Sequence, residues 1–148
     1  FSDAIVENNF AHHSKFIQYG SDLGERMKNA FDHGFNLGYD KVIGIGTDLP
    51  DLRSEIITQG FAALQEAQVV FGPAEDGGYY LIGMTKPIDC VFKNKPWSTR
   101  ELMDTTLNEL NDKNIAFTLL EVLNDIDTLE DLQNSSLSEK YAYLSKKN

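Results

Sequence analysis

Apolar positions along the chain switch between a helical period and short extended runs. Leu23, Met27, Ala30, Phe31 and Phe35 recur at helical spacing behind Ser21, a residue type that caps helices, and Gly38 is placed to stop the helix. Lys41–Gly46 carries Val-Ile-Gly-Ile, an apolar run of the kind found in buried parallel strands. A second helix is predicted from about Ser54, with Ile56, Ile57, Phe61 and Leu64 on one face. Val69–Phe71 and Tyr79–Ile82 read as strands separated by Gly72-Pro-Ala-Glu-Asp-Gly-Gly78. Ser98-Thr-Arg-Glu101 has capping-box spacing and predicts a third helix through Met103, Leu107 and Leu110. Ile115–Val122 reads as another strand, and Thr128-Leu-Glu-Asp131 as another helix start. Strand–helix alternation with short connections predicts one α/β domain over residues 1–148, with a mostly parallel sheet covered on both faces and 133–148 as a peripheral tail.

Composition narrows the functional classes. A hydrophobic content of 41% over 148 residues is enough for a buried core. Thirteen basic against 23 acidic residues leave a net charge of −10, which repels phosphate backbones and argues against a nucleic-acid groove or an anionic membrane surface. A phosphorylated substrate would need a metal ion or a local basic cluster to offset that repulsion. The lone cysteine, Cys90, excludes an internal disulfide framework and fits a reducing compartment. No apolar run approaches the roughly 20 residues that span a bilayer, and no basic-then-apolar leader opens the chain. The expectation is a soluble, cytoplasmic, acidic domain.

The opening is unusual for an α/β nucleotide-binding domain. Phe1-Ser-Asp-Ala-Ile-Val6 reads like the end of a strand, and no glycine-rich phosphate turn precedes Ser21.

Three loops carry candidate chemistry. Gly46-Thr-Asp-Leu-Pro50 follows a strand, where open α/β sheets hold ligands, so Asp48 can hold Mg²⁺ or Mn²⁺ or merely belong to a turn whose Asp51 caps the next helix. Asn124-Asp-Ile-Asp-Thr128 follows another strand; Asp125 and Asp127 can share one side of an extended segment and grip a cation, or serve as solvated and capping residues. In Gly72–Tyr80 the paired Gly77 and Gly78 permit close ligand approach, while Glu75 and Asp76 can bind a hydroxylated acceptor or act as general base. The same Asp-Gly pair is also a strong hairpin signal. Trp97 can stack on a ring or lie at the core rim. His12 and His13 lack partners at metal-ligand spacing, no nucleophilic triad is visible, and Cys90 reads as an inert thiol.

Gly20-Ser-Asp-Leu-Gly-Glu-Arg-Met27, Gly46-Thr-Asp-Leu-Pro50, Gly72–Tyr80, Pro96-Trp-Ser-Thr99 and Asn124-Asp-Ile-Asp-Thr128 occur here in one order. Together they resemble a bacterial family assigned to the glycosyltransferases, sometimes called selenodomain-associated transferases, over the stretch from the first residues to about Leu132. The resemblance implies a GT-A fold, a Rossmann-like α/β sandwich, related to the small guanylyltransferases of molybdenum-cofactor and phospholactate chemistry. It makes Asp48, Asp125 and Asp127 the metal candidates. Where members usually show Gly-Ser-Asp-Cys-Pro, this chain has Thr47 and Leu49, which keeps the hydroxyl and the carboxylate. Members also begin with a strand and a Lys/Arg-containing nucleotide loop that these 148 residues do not contain, so the expected domain lacks its first strand.

The functional expectation is metal-dependent glycosyl transfer from a nucleotide-diphosphate sugar to a small acceptor. Mg²⁺ or Mn²⁺ would offset the charge of the leaving diphosphate. Glu75 or Asp76 would serve the acceptor, and Asp22, Arg26, Thr47, Gly77, Gly78 and Trp97 would bind substrate. Arg26 can donate to phosphates or form a surface ion pair with Asp22 or Glu25. The alternatives are nucleotidyl transfer from an NTP with release of pyrophosphate, and a non-catalytic nucleotide- or sugar-binding module. A homo-oligomer is compatible with all three.

Overall fold

A computed structural model of the chain describes residues 13–46, 49, 51–124 and 138. Its first helix, α1 (Leu23–Asn36), is capped by Asp22, whose Oδ1 accepts from the Glu25 N–H at 2.8 Å. The cap falls one residue later than predicted, at Asp22, whose backbone is extended (φ −138°, ψ 178°), while the Ser21 N–H donates to the Glu25 carboxylate at 2.5 Å. The helix ends at Leu37, and Gly38 follows at φ +92°, the left-handed conformation that glycine takes without strain.

Strand β1 (Val42–Ile45) leads to α2 (Ser54–Ala63), then to β2 (Val69–Pro73), β3 (Tyr79–Met84), a 3₁₀ turn at Asp89–Val91, α3 (Leu102–Asp112) and β4 (Phe117–Leu119). The sheet order is β1-β3-β2-β4. β3 runs antiparallel to both β1 and β2, and β2 pairs in parallel with β4. Three of the four strands therefore point the same way. The expectation of a mostly parallel sheet holds for strand direction but not for hydrogen-bonded pairing, because the hairpin inserts β3 between β1 and β2. For the same reason β1 is a half-buried antiparallel strand and not a buried parallel one.

Alternation along β2 sends side chains into two cores. Val69 and Phe71 join Ile82, Met84, Phe31 of α1 and Met103 and Leu110 of α3 on one face. Val70 joins Leu81, Ile56 and Leu64 on the other, where α2 packs. The result is a sheet covered by α1 and α3 on one side and by α2 on the other. Along α2 the buried stripe is Ile56, Gly60 and Leu64; an added Cβ at Gly60 would lie 3.1 Å from Ile43. Phe61, expected inside, lies about one-quarter turn off that stripe and is exposed.

Two further expectations are corrected. The capping box at Ser98–Glu101 does not form: Ser98 sits at φ +61°, Thr99 Oγ1 donates to Pro96 O at 2.8 Å, and α3 starts only at Leu102. An N-cap needs an extended backbone, which left-handed Ser98 does not supply. The strand expected over Ile115–Val122 shrinks to Phe117–Leu119, continued by a single parallel bridge between Ala74 and Leu123. The helix start expected at Thr128 and the peripheral tail lie outside the described residues, apart from Ser138. Among the described residues no helix is long and apolar enough to cross a membrane.

The Lys95 side chain is fully buried and paired with Glu109 of α3, which Lys113 also approaches at 3.5 Å. That pair fastens the segment before α3 to the helix itself. Lys95 foremost holds the Glu109 carboxyl below the usual carboxylate range, and Lys93, then Lys28, do the same for Asp89.

Two outcomes follow from this packing. Depressed folded-state carboxyls stabilise the fold above their unfolded pKa and stop doing so as protons bind. The melting temperature should hold down to about pH 5 and fall below about pH 4. Glu109→Gln should flatten that acid limb in a thermal-melt series. Gly72→Ala would place a Cβ 2.3 Å from Tyr80 Cζ, a ring held by its own hydrogen bond, so urea denaturation should show a loss of about 1–3 kcal/mol.

Candidate active-site cleft

Since β1, β2 and β4 share one direction, the segments after β1, between β2 and β3, and after β4 all emerge at the same end of the sheet. Ligands of open α/β sheets bind outside the carboxyl ends of the strands. A cavity of about 550 Å³ opens there, walled by Leu23, Met27 and Phe31 of α1, the end of β1, the β2–β3 turn and the Trp97–Thr99 segment.

The β2–β3 turn is a hairpin, as its Asp-Gly pair predicts. Asp76 is exposed, lines the cavity, and its Oδ1 accepts from the Gly78 N–H at 2.7 Å. Gly77 takes φ +92°; a Cβ there would lie 2.4 Å from Arg100 O, and its carbonyl accepts from the Met103 N–H at 3.1 Å. Gly77 thus locks the turn to the start of α3, while Gly78 lines the cavity. Glu75 is exposed and its N–H bonds Leu123 O, but the residue is not part of the cavity lining. Of the two carboxylates, only Asp76 reaches the cleft.

The register of the hairpin decides what its tyrosines do. Gly72 pairs with Leu81 and Pro73 with Tyr79, so Tyr80 is an extra residue on β3, a bulge of the kind that re-aims side chains. Tyr80 turns to the α2 face, packs over Gly72 and donates to Glu121 O at 2.9 Å. The Arg53–Glu121 ion pair at 3.0 Å ties the same stretch to the start of α2. Tyr79 turns to the α1 face, where its ring meets Phe71 at 5.3 Å and Trp97 at 6.5 Å between centroids. Its hydroxyl is buried with no hydrogen-bond partner among the described residues, and burial pushes the phenol above the ordinary tyrosine range.

Trp97 is half-buried against Gly24, where an added Cβ would lie 2.8 Å from its Cζ2. The indole is therefore part of the wall between α1 and the hairpin, with an edge on the cavity. Asp22 is spent on the α1 cap. Arg26 Nε donates to Gly20 O at 3.2 Å and faces a second, adjoining cavity. Burial raises the Cys90 thiol pKa, with the Glu109 charge adding to it, in keeping with an inert thiol. Thr47, Asp48, Asp125 and Asp127, together with His12, lie outside the described residues. Among the described residues no group of three His, Cys, Asp or Glu side chains is arranged to hold a metal ion. The described part of the cleft therefore offers Asp76 as its carboxylate and no complete metal site.

Sequence reasoning missed Tyr79 and the inner face of α1. The Gly-Gly-Tyr-Tyr string marks the place, but only the bulge separates the two tyrosines.

A cleft at the carboxyl ends of the strands, in a sheet covered on both faces, is the arrangement of nucleotide-handling α/β domains. Residues 2–99 match the family described as "Uncharacterized protein conserved in bacteria (DUF2064)", and the chain belongs to that family. The fold also matches the crystal structure of a "putative nucleotide-diphospho-sugar transferase" from Desulfovibrio desulfuricans G20. That match has a TM-score of 0.75 and 37% identity, over 86% of this chain. The chain spans 60% of the length of that structure. None of the curated proteins matches it. The α/β class and the GT-A-like architecture expected from the sequence stand.

The two tyrosines give opposed expectations in denaturation experiments. Tyr80→Phe should cost about 0.5–1.5 kcal/mol by deleting the bond to Glu121 O. Tyr79→Phe removes a hydroxyl that has no partner among the described residues, so stability should stay level or rise by up to about 1 kcal/mol.

Proposed function

We propose that the chain is a transferase domain acting on a nucleotide-diphosphate sugar, with Mg²⁺ or Mn²⁺ as cofactor and a small hydroxylated acceptor. The observation that carries this reading is the cleft at the carboxyl ends of β1, β2 and β4, in a fold shared with the nucleotide-diphospho-sugar transferase-like structure. Asp76 stands on the cleft with carboxylate lone pairs beyond the one used by Gly78, so it accepts from substrate hydroxyls there and orients or deprotonates that of the acceptor. Glu75, one residue earlier but outside the cleft lining, acts as a secondary carboxylate. Trp97 and Gly78 shape the wall against which the sugar lies.

In the sequence Thr47 and Asp48 come directly after Gly46, which lines the cleft, and Asp125 and Asp127 come after the described segment that follows β4. The carboxylates of Asp48, Asp125 and Asp127 suit hard divalent ions, and Thr47 is assigned to substrate. Such an ion would offset the charge developing on the leaving diphosphate. Donor and acceptor classes are those of the family resemblance, and a cytoplasmic setting fits the single cysteine.

A thermal-shift panel of nucleotide sugars and NTPs, with and without Mn²⁺, tests this reading. A nucleotide sugar at 100 times its Kd should add about 2.7 kcal/mol, or about 5–10 °C, with metal present. Asp48→Asn should abolish the metal-dependent part. Turnover should release a nucleoside diphosphate; release of pyrophosphate would instead assign the chain to nucleotidyl transfer, as in the small guanylyltransferases. A metal-independent shift that survives Asp48→Asn, without turnover, would make it a binding module.

A further inference from the structure

The second cavity, about 680 Å³, lies against the outer face of α1 and the segment 14–19. It shares Gln18, Ala30, Ile45 and Gly46 with the first, so the two form one continuous trough across the end of β1. Their chemistries differ. Among the described residues, the first cavity is lined by no Lys, Arg or His, and its one charged group is Asp76. Among the described residues the second is lined by Lys15, Arg26 and His33 and by no Asp or Glu, in a chain whose net charge is −10. Two aromatic rings stand on the same cavity as Lys15 and Arg26. Phe16 is 58% exposed and meets the His33 ring at 4.3 Å between centroids, tilted by 56°, and Tyr19 is 67% exposed. Asn29 Nδ2 holds the Tyr19 carbonyl at 2.9 Å, which fixes the segment to α1.

We propose that one nucleotide-diphospho-sugar lies across this trough, with its nucleoside diphosphate in the Arg26 cavity and its sugar in the Asp76 cavity. The inference rests on the transferase reading above and adds a division of the donor between two sets of residues. An acidic, cation-free pocket repels a diphosphate but accepts an uncharged polyol, whose hydroxyls can donate to Asp76 and Ser98 and whose apolar face can meet Trp97. A cationic pocket with exposed rings suits the other end. Among the described residues Arg26 bonds only through Nε, to Gly20 O, so its terminal nitrogens can bond phosphate oxygens, while Phe16 and Tyr19 offer faces to a base. The shared residues at Ile45 and Gly46 then mark where the bond between sugar and diphosphate crosses the strand end.

Calorimetric titration of the chain with UDP, GDP, UDP-glucose and GDP-glucose, in Mn²⁺ buffer, separates the outcomes. Arg26→Ala should weaken both the free nucleoside diphosphate and its sugar conjugate by the same factor, about tenfold or more, and Arg26→Gln should do likewise if the alanine variant is poorly folded. Asp76→Asn keeps the bond to Gly78 and should weaken only the sugar conjugates, leaving UDP and GDP unchanged. Nucleotide binding that ignores Arg26, or an Asp76→Asn loss shared by the free diphosphates, overturns the division while leaving the transferase reading intact. Absence of binding by every probe to the wild-type chain overturns both.

Discussion

The sheet depends on β3 pairing on both sides. Val70, Gly83 and Ile43 lie in one register across β2, β3 and β1, and a Cβ at Gly83 would come within 2.8 Å of side-chain carbons of both neighbours. A residue without a side chain in the middle of the sheet lets Leu64 of α2 settle close over these strands. Through β3 the two cores are joined back to back, and through it β1 is held at all, since β1 pairs with no other described strand.

Much of the cleft follows from that arrangement. Because β3 returns antiparallel, its first residues lie beside the last residues of β1, where the Gly46 N–H donates to Tyr80 O at 2.8 Å. The bulge at Tyr80 then separates the two tyrosines, both of which line the cavity: Tyr80 takes a structural bond on the α2 side and Tyr79 packs on the α1 side. The strap before α3 closes the third side. Buried Lys95 anchors it to Glu109, and Trp97 wedges against Gly24, so packing far from Asp76 sets the width of the pocket that Asp76 faces.

Electrostatics divides the surface in the same economical way. In a chain at −10, the described lining of the outer cavity carries Lys15, Arg26 and His33 and no carboxylate. Local charge and not net charge decides what anion a pocket admits, because screening confines each charge to about 8–10 Å at ordinary ionic strength. The acidic balance predicts against nucleic acid as a partner and leaves a small phosphorylated ligand open.

Helical and extended periods by themselves determined the α/β class, the existence of α1, α2 and α3, and the hairpin at Asp76–Gly77, because each is a local property of spacing and turn chemistry. The candidate loops were likewise legible, since a loop after a strand is placed by the strand. Tertiary structure alone decided the rest. Strand order is set by which partners bury most surface, so β1 became an antiparallel neighbour of β3. The capping box at Ser98 lost to the turn that Pro96 and Thr99 close, since a local hydrogen bond offered no advantage over packing Trp97. That Asp76 and not Glu75 lines the cleft is a matter of the path of the turn, and the opposite packing of Tyr79 and Tyr80 depends on a one-residue register shift that no periodicity records. Arg26 and Phe16 line one cavity because α1 folds back along the segment that precedes it, an arrangement fixed by the path of the chain and invisible in its spacing.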